Sequence, residues 1–334
     1  MLNYFSIITL LFLSVQTDAQ VKWVNADADF SPLPAGFHVF KSTSTLDDKP
    51  FAAFYAIADI KNKRLQFTTD TTLKRRLTPA QFFQKNGQPL LVVNSTFFSF
   101  ATHQNLNVVI KNKKTVAFNI HTIPLKGKDT FQYRHPYGSA LGISKKRKAD
   151  VAWLYTDSLL KFPYALQQVA DAVKDSVSAF PFKNAKLYNA ETGYNKVAGI
   201  KKRKPVLTKW KMKTAVGGGP VLLQNGQIKI TNNEELKFGG KAINDQHPRT
   251  VMGYTKDDKL IVMVVQGRSP GISDGASLVQ VAALMKNLGC VEALNLDGGG
   301  SSCMLINGKQ TITPSDKGLQ RAIPAVFIIQ ENGK

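Results

Sequence analysis

Val291-Glu292-Ala293-Leu294-Asn295-Leu296 runs directly into Asp297-Gly298-Gly299-Gly300-Ser301-Ser302. The first six residues read as a strand, which delivers a carboxylate to its C-terminal end. Three glycines let the backbone fold tightly and come close to a ligand. Successive N–H groups in such a turn can form an anion nest, and Ser301 and Ser302 add hydroxyls. Taken alone, the stretch also reads as a tight hairpin turn capped by Asp297. The rest of the chain weights the choice.

Just upstream, Ser277–Leu288 is the best helix: Leu278, Val281, Ala282 and Met285 share one face, and Gly289 stops it. Thr78–Gln84 reads as a short helix, with Thr78 as N-cap and Pro79 in the first turn. Tyr164–Val177 has helical spacing. Most other elements read as strands. Val21–Phe40 and Phe51–Ile60 are strand-rich. Pro89–Asn94, Asn107–Ile110, Val116–Ile120, Ser139–Ile143, Val151–Tyr155, Lys186–Asn189, Val221–Leu223, Thr250–Tyr254, Leu260–Val265, Met304–Ile306 and Ala325–Ile329 follow. Many strands with few helices imply an α+β fold: mixed β-sheets with a few packed helices in a single large domain.

The chain has 334 residues, of which 43% are apolar and 20% charged. That is globular composition, and it excludes a disordered tail or a multi-pass membrane protein. Lys plus Arg number 44 against 23 Asp plus Glu, a net charge of +21. Such an excess favours anionic partners. Residues 4–13 (YFSIITLLFL) match the apolar core of a signal peptide, with small residues at Thr17 and Ala19 and cleavage expected after Ala19. The run is too short for a membrane span of about 20 residues. The expectation is an exported protein, periplasmic or secreted, with the working domain over 20–334 and no membrane span after cleavage. Export argues against nucleic acid as the partner. Two KKRK runs, Lys145–Lys148 and Lys201–Lys204, read mainly as solvated loops and secondarily as contacts for an anionic surface. The two cysteines, Cys290 and Cys303, read as buried free thiols in preference to a disulfide.

Polar groups and glycines recur at strand ends. Gly217-Gly218-Gly219-Pro220 precedes the strand Val221–Leu223. Arg249-Thr250 opens a strand after His247-Pro248. Gly267-Arg268 follows IVMVVQ. Asn94 closes LLVV and leads into Ser95-Thr96-Phe97-Phe98. Together they describe a site on the rim of a sheet. In order and spacing, NSTFF (94–98), GGGPVLLQNG (217–226), HPRTVMGY (247–254), VQGR (265–268), ASLVQVAALM (276–285) and LNLDGGGSSCMLINGK (294–309) resemble the phosphodiester glycosidase family over roughly residues 90–310. The last motif is the specific one. The resemblance implies hydrolysis of the bond between an anomeric carbon and a phosphodiester oxygen. It places Asn94, Thr96, Gly218, Gly219, Thr250, Gly298, Gly299, Gly300, Ser301 and Ser302 at the substrate, with Asp297, Arg249 and Arg268 in catalysis. Gln266 and Gln280 depart from the family, which often has Asp and Glu there.

Glycosidases generally need two carboxylates. Glu191 is the chosen second acid, and Asp245 and Asp274 are alternatives. His247 reads as a structural cap. There is no HExxH, P-loop or GxSxG pattern. No cofactor is evident, and a divalent metal stays open. The expected partner is an anionic carbohydrate, either a sugar phosphodiester or a cell-surface phosphoglycan. The rival readings are a non-catalytic glycan-binding protein on the same fold and a basic adhesion protein using the KKRK loops.

Overall fold

The computed structural model describes residues 21–191, 206–240 and 242–332, with the side chains of 187–191 excluded. The leader-like run and the second KKRK run lie outside the described residues. Three large sheets and one small one carry the fold. In the largest, the order is Val24–Asn25, Phe37–Leu46, Lys49–Asp59, Lys259–Val265, Arg249–Thr255, Cys290–Asn295, Val221–Gln224 and Gln227–Ile228. A seven-stranded sheet centres on Ala149–Tyr155, Gly138–Ser144 and Met212–Gly217. A five-stranded sheet runs Lys309–Gln310, Met304–Ile306, Leu91–Asn94, Ala325–Glu331 and Leu65–Thr71. The strand-rich α+β class is as expected. Every described strand pair is antiparallel, however, so the sheets are not mixed.

Inner faces of all three sheets meet in one core: Val39 and Val262 from the first, Leu141 and Trp153 from the second, Val93 and Phe327 from the third. The opposite face of the eight-stranded sheet is covered by the helix Leu278–Asn287, whose Leu278, Val281, Ala282 and Met285 pack on Val251, Met263 and Ala293. Burial on both faces explains why IVMVV is continuously apolar rather than alternating. The helix starts in a capping box: Ser277 Oγ accepts from the Gln280 N–H, and the Gln280 side chain accepts from the Ser277 N–H. Pro79–Lys85 starts the same way at Thr78 and buries Phe82 on the five-stranded sheet.

Two expectations fail. Tyr164–Val177 is not helical. Tyr164–Leu166 pairs with Trp153–Tyr155 one strand in from the sheet edge, and Val173–Asp175 pairs with Tyr133–His135. Val169 and Ala170 reach the core from the loop between, so the apolar spacing reflects two sheet contacts. Lys186–Asn189 is not a strand but part of the helix Phe182–Glu191. Its Ala, Lys and Leu content is helix-forming, and no neighbouring strand overrides it. The first KKRK run is also tied to the fold. Arg147 donates to the carbonyls of Ile60, Asn62 and Leu65 and lies over the Phe67 ring, while Lys148 pairs with Asp258 at 2.8 Å. Lys148 stays exposed all the same, and Lys145 and Lys146 are the lysines of that run without an ion pair among the described residues.

Candidate active site

The quoted stretch is where the chain crosses between sheets. Cys290–Asn295 belongs to the eight-stranded sheet, and Met304–Ile306 pairs with Leu91–Asn94 in the five-stranded one. Asp297 and the glycine turn make the crossing. Three groups hold it. The Asp297 N–H donates to the Ser95 carbonyl (2.8 Å), the Leu296 N–H to Thr250 (2.8 Å) and the Gly299 N–H to Pro248 (2.8 Å). Beneath them, Asn94 Nδ2 donates to the Asp297 carbonyl (2.6 Å) while Asn94 Oδ1 accepts from Thr250 Oγ1 (2.8 Å) and the Cys303 N–H (3.1 Å). Ser302 Oγ lies 3.2 Å from Thr250 Oγ1. Asn94, Thr250 and Ser302 are fully buried. They position the turn, and none of the three lines the cavity beside it.

Gly299 has φ +60, the left-handed conformation that glycine tolerates. The amide nest is smaller than the sequence implies. Gly299–Ser301 is a 3-10 turn in which the Ser301 and Ser302 N–H groups bond back to Gly298 and Gly299. With the Gly299 N–H also occupied, the Gly300 N–H is the one in this turn without a partner among the described residues. Gly218 and Gly219 permit close packing. The Gly219 N–H donates to Asn295 (2.7 Å), and a Cβ on Gly218 would overlap the Asn295 carbonyl. Thr96 is buried and bonded to Asn105 Oδ1.

Around the turn lies a cavity of about 300 Å³ lined by Phe97, Phe238, His247, Arg249, Arg268, Asn295, Asp297, Gly298–Gly300 and Arg321. Among the described residues Asp297 is its one carboxylate. The residue is half-buried, but Oδ2 is sealed from solvent and without a partner, as are Asn295 Oδ1 and Ser301 Oγ. Burial pushes the Asp297 carboxyl up to about 7; the adjacent Ser301 hydroxyl, the Arg321 charge and the Gly298 amide hold it from rising further. The Ser301 hydroxyl exerts that pull from nearby without meeting hydrogen-bond geometry. Clustered unsatisfied polar atoms at a pocket floor are costly to folding and mark a place where a ligand completes the bonding.

Three guanidinium groups face this floor. Arg249 is buried, donates to the carbonyls of Ala276 (2.9 Å) and Asp245 (2.8 Å), and is lowered to about 10 chiefly by burial, with Asp245 opposing and Arg268 adding to the fall. Arg268 is exposed at the mouth, with a guanidinium nitrogen 3.4 Å from His247 Nδ1. Burial, then Arg249 and Arg268, keep His247 below its usual pKa. Among the described residues neither Arg249 nor Arg268 has a carboxylate ion pair. Arg321 pairs with Asp316 (3.0 Å) and packs over the Phe100 ring and against Gly300.

The pocket, built from sheet ends and closed by a glycine turn, holds one carboxyl and three arginines among the described residues. A model of phosphodiester glycosidases matches residues 164–330. The chain belongs to the phosphodiester glycosidase family. An 81-residue stretch is 38% identical to an uncharacterized SPbeta prophage-derived protein of Bacillus subtilis, covering 24% of this chain and 12% of that protein. A 103-residue stretch is 29% identical to mouse N-acetylglucosamine-1-phosphodiester α-N-acetylglucosaminidase, covering 28% of this chain and 20% of that one. The matches thus span a fifth or less of those relatives' lengths. The zebrafish enzyme of the same name, whose catalytic domain was solved auto-inhibited by its pro-peptide, superimposes with TM-score 0.57 at 19% identity, over 93% of this chain and 88% of that one. A hypothetical protein from Synechocystis gives 0.56 at 13% identity over 88% and 62%. These likenesses show a shared fold.

Arg321 escaped the sequence reading because it sits in an irregular loop beyond the last motif. A lone arginine just ahead of the final apolar strand was its only signal. Glu191 ends its helix, and its side chain lies outside the described residues. Neither Asp245 nor Asp274 lines the pocket. The two glutamines are structural here. Gln266 accepts from the Thr313 N–H (3.0 Å), and Gln280 completes its capping box and donates to Asp47 (2.6 Å). Neither lines the pocket. Cys290 and Cys303 are buried free thiols in separate clusters, pushed up to about 12 by burial. Among the described residues no group of three or more His, Cys, Asp or Glu is gathered to hold a metal, and no helix is long and apolar enough to cross a membrane.

Proposed function

We propose that this chain hydrolyses the anomeric C–O bond of a sugar-1-phosphodiester and that it does so after export. The observation that carries the reading is Asp297: a carboxyl at the pocket floor whose Oδ2 has no partner, the one acid there among the described residues, faced by three arginines. Arg268 and Arg321 suit bidentate contact with the phosphate, and the open Gly300 N–H adds a donor. A water attacks the anomeric carbon, and the Asp297 carboxylate takes its proton. The C–O bond breaks with its electron pair on the phosphate oxygen, releasing a free sugar and a phosphomonoester. An alkoxide leaving group needs a general acid. A phosphate leaves as an anion and needs positive charge instead, which fits a pocket with three arginines and, among the described residues, a single acid. Export is supported by the apolar run at residues 4–13 and is checked by sequencing the mature N-terminus, expected near Gln20.

The test is kcat/KM for an α-sugar-1-phosphodiester against the methyl glycoside of the same sugar, with free-sugar release as readout. The phosphodiester is expected to be cleaved and the methyl glycoside barely touched. Equal rates would end the phosphate-leaving-group account.

A further inference from the structure

Across the edge-to-face pair Phe97–Phe238, whose ring centroids are 6.0 Å apart, lies a second cavity of about 370 Å³. It shares those two rings with the catalytic pocket; Leu106, Ile120 and Ile123 belong to its apolar wall, and Asn107, Asn119 and Glu235 add polar groups. Ile120 stands 49% exposed at its edge. Open apolar surface beside a catalytic floor is a recognition feature, since it gains nothing for the fold. One cation stands on its wall. Lys237 is half-buried, its Cε packs over Gly219, and its Nζ is 5.5 Å from the Phe97 centroid. Burial lowers its ammonium pKa, with Glu235 opposing. Glu235 is already saturated. It accepts from Ser139 Oγ (2.5 Å), Thr231 Oγ1 (2.6 Å), the Val221 N–H (2.9 Å) and Trp153 Nε1 (3.1 Å). Among the described residues Lys237 has no carboxylate within ion-pair distance.

We infer that this second cavity is the aglycone subsite, that it selects phosphodiesters of alkyl or aryl alcohols, and that Lys237 meets the phosphate from the aglycone side. The inference rests on the phosphodiester reading, so its test is a binding measurement that needs no turnover. Calorimetry compares hexyl phosphate with methyl phosphate on the full protein. Hexyl phosphate is expected to bind at least about tenfold tighter, the effect of roughly two buried methylenes. Ile120→Gln, at an exposed position that folding tolerates, should pull the affinity ratio towards one. Lys237→Met should weaken both ligands while keeping the ratio. Equal affinities in the native protein, or a ratio unmoved by Ile120→Gln, overturn the subsite. Unchanged affinities in Lys237→Met overturn the role of the lysine. Hydrolysis of a hexyl sugar-1-phosphodiester is followed in parallel. Preferential hexyl binding without any hydrolysis would remove the hydrolase reading and leave the subsite; hydrolysis with equal affinities would do the reverse.

Discussion

The Asp297 carboxyl has lost most of its water without gaining a full set of donors, so burial lifts it to about 7 from an ordinary 3.8. Between those values the folded chain holds a proton that the unfolded chain has released. Stability therefore falls as pH rises through that window. Asp297→Asn removes the penalty. Its melting temperature relative to the native protein should climb from pH 5 to pH 8, and a difference that stays flat with pH would contradict the raised carboxyl. Activity should move the other way. In the proposed role of base, Asp297 is expected to supply at least about a hundredfold of the rate, which the asparagine would forfeit. The acid limb of kcat/KM should fall near pH 7, where the free carboxyl ionises. Arg321 is one of the groups that hold Asp297 down, so Arg321→Gln should shift that limb upward. Gly300→Ala should do the same, because a Cβ there overlaps the Arg321 guanidinium and displaces it. Limbs that stay in place in both variants would show that Arg321 does not act on Asp297.

At the scale of elements, the site depends on one crossing between two sheets and on the buried amide beneath it. Asn94→Ala leaves the Thr250 hydroxyl and the Cys303 N–H without their acceptor, at about 1–3 kcal/mol for each buried group. It also frees the Asp297 carbonyl. Chemical unfolding should show a loss of a few kcal/mol, with activity falling too; a native midpoint would mean that the network does not hold the turn. Gly299→Val forces a β-branched residue to φ +60 and should be similarly harmful. How much of this was legible depended on where the information sits. The helix Leu278–Asn287 was readable because Ser277 caps it, one face is apolar and Gly289 ends it. LLVV and IVMVV were readable as strands because double-sided burial writes itself as continuous apolar runs. Tyr164–Val177 misled because two separate sheet contacts, at Leu166 and Val173, happen to fall at helical spacing. Asp297 was visible because a carboxylate before three glycines is an uncommon local pattern. Arg321, Phe238 and Lys237 were not, because they converge on it only through the tertiary fold.

At the scale of the whole molecule, the charge of +21 is spread over a surface that the pocket alone does not account for. Some of it is spent on structure: Arg147 fastens backbone carbonyls, Lys148 pairs with Asp258, and Lys85 and Lys111 both pair with the buried Asp70. Three arginines are concentrated at the pocket. The remaining excess makes a long-range positive field, of a kind that raises the encounter rate of anionic ligands and, under the proposed function, would leave the chemical step to the desolvated groups inside. Salt separates the two contributions. Between about 10 mM and 1 M ionic strength the screening length shrinks from roughly 30 Å to roughly 3 Å. For a sugar phosphodiester, kcat/KM should fall severalfold across that range while kcat changes little. For a polymeric anionic substrate, which spans more of the surface, the fall should be steeper. Lys145→Glu with Lys146→Glu, the two lysines of the first KKRK run without an ion pair among the described residues, should deepen the loss for the polymer more than for the small diester. If kcat/KM is instead indifferent to salt for both substrates, the surface charge plays no part in delivery, and the excess of Lys and Arg needs another explanation than an anionic substrate.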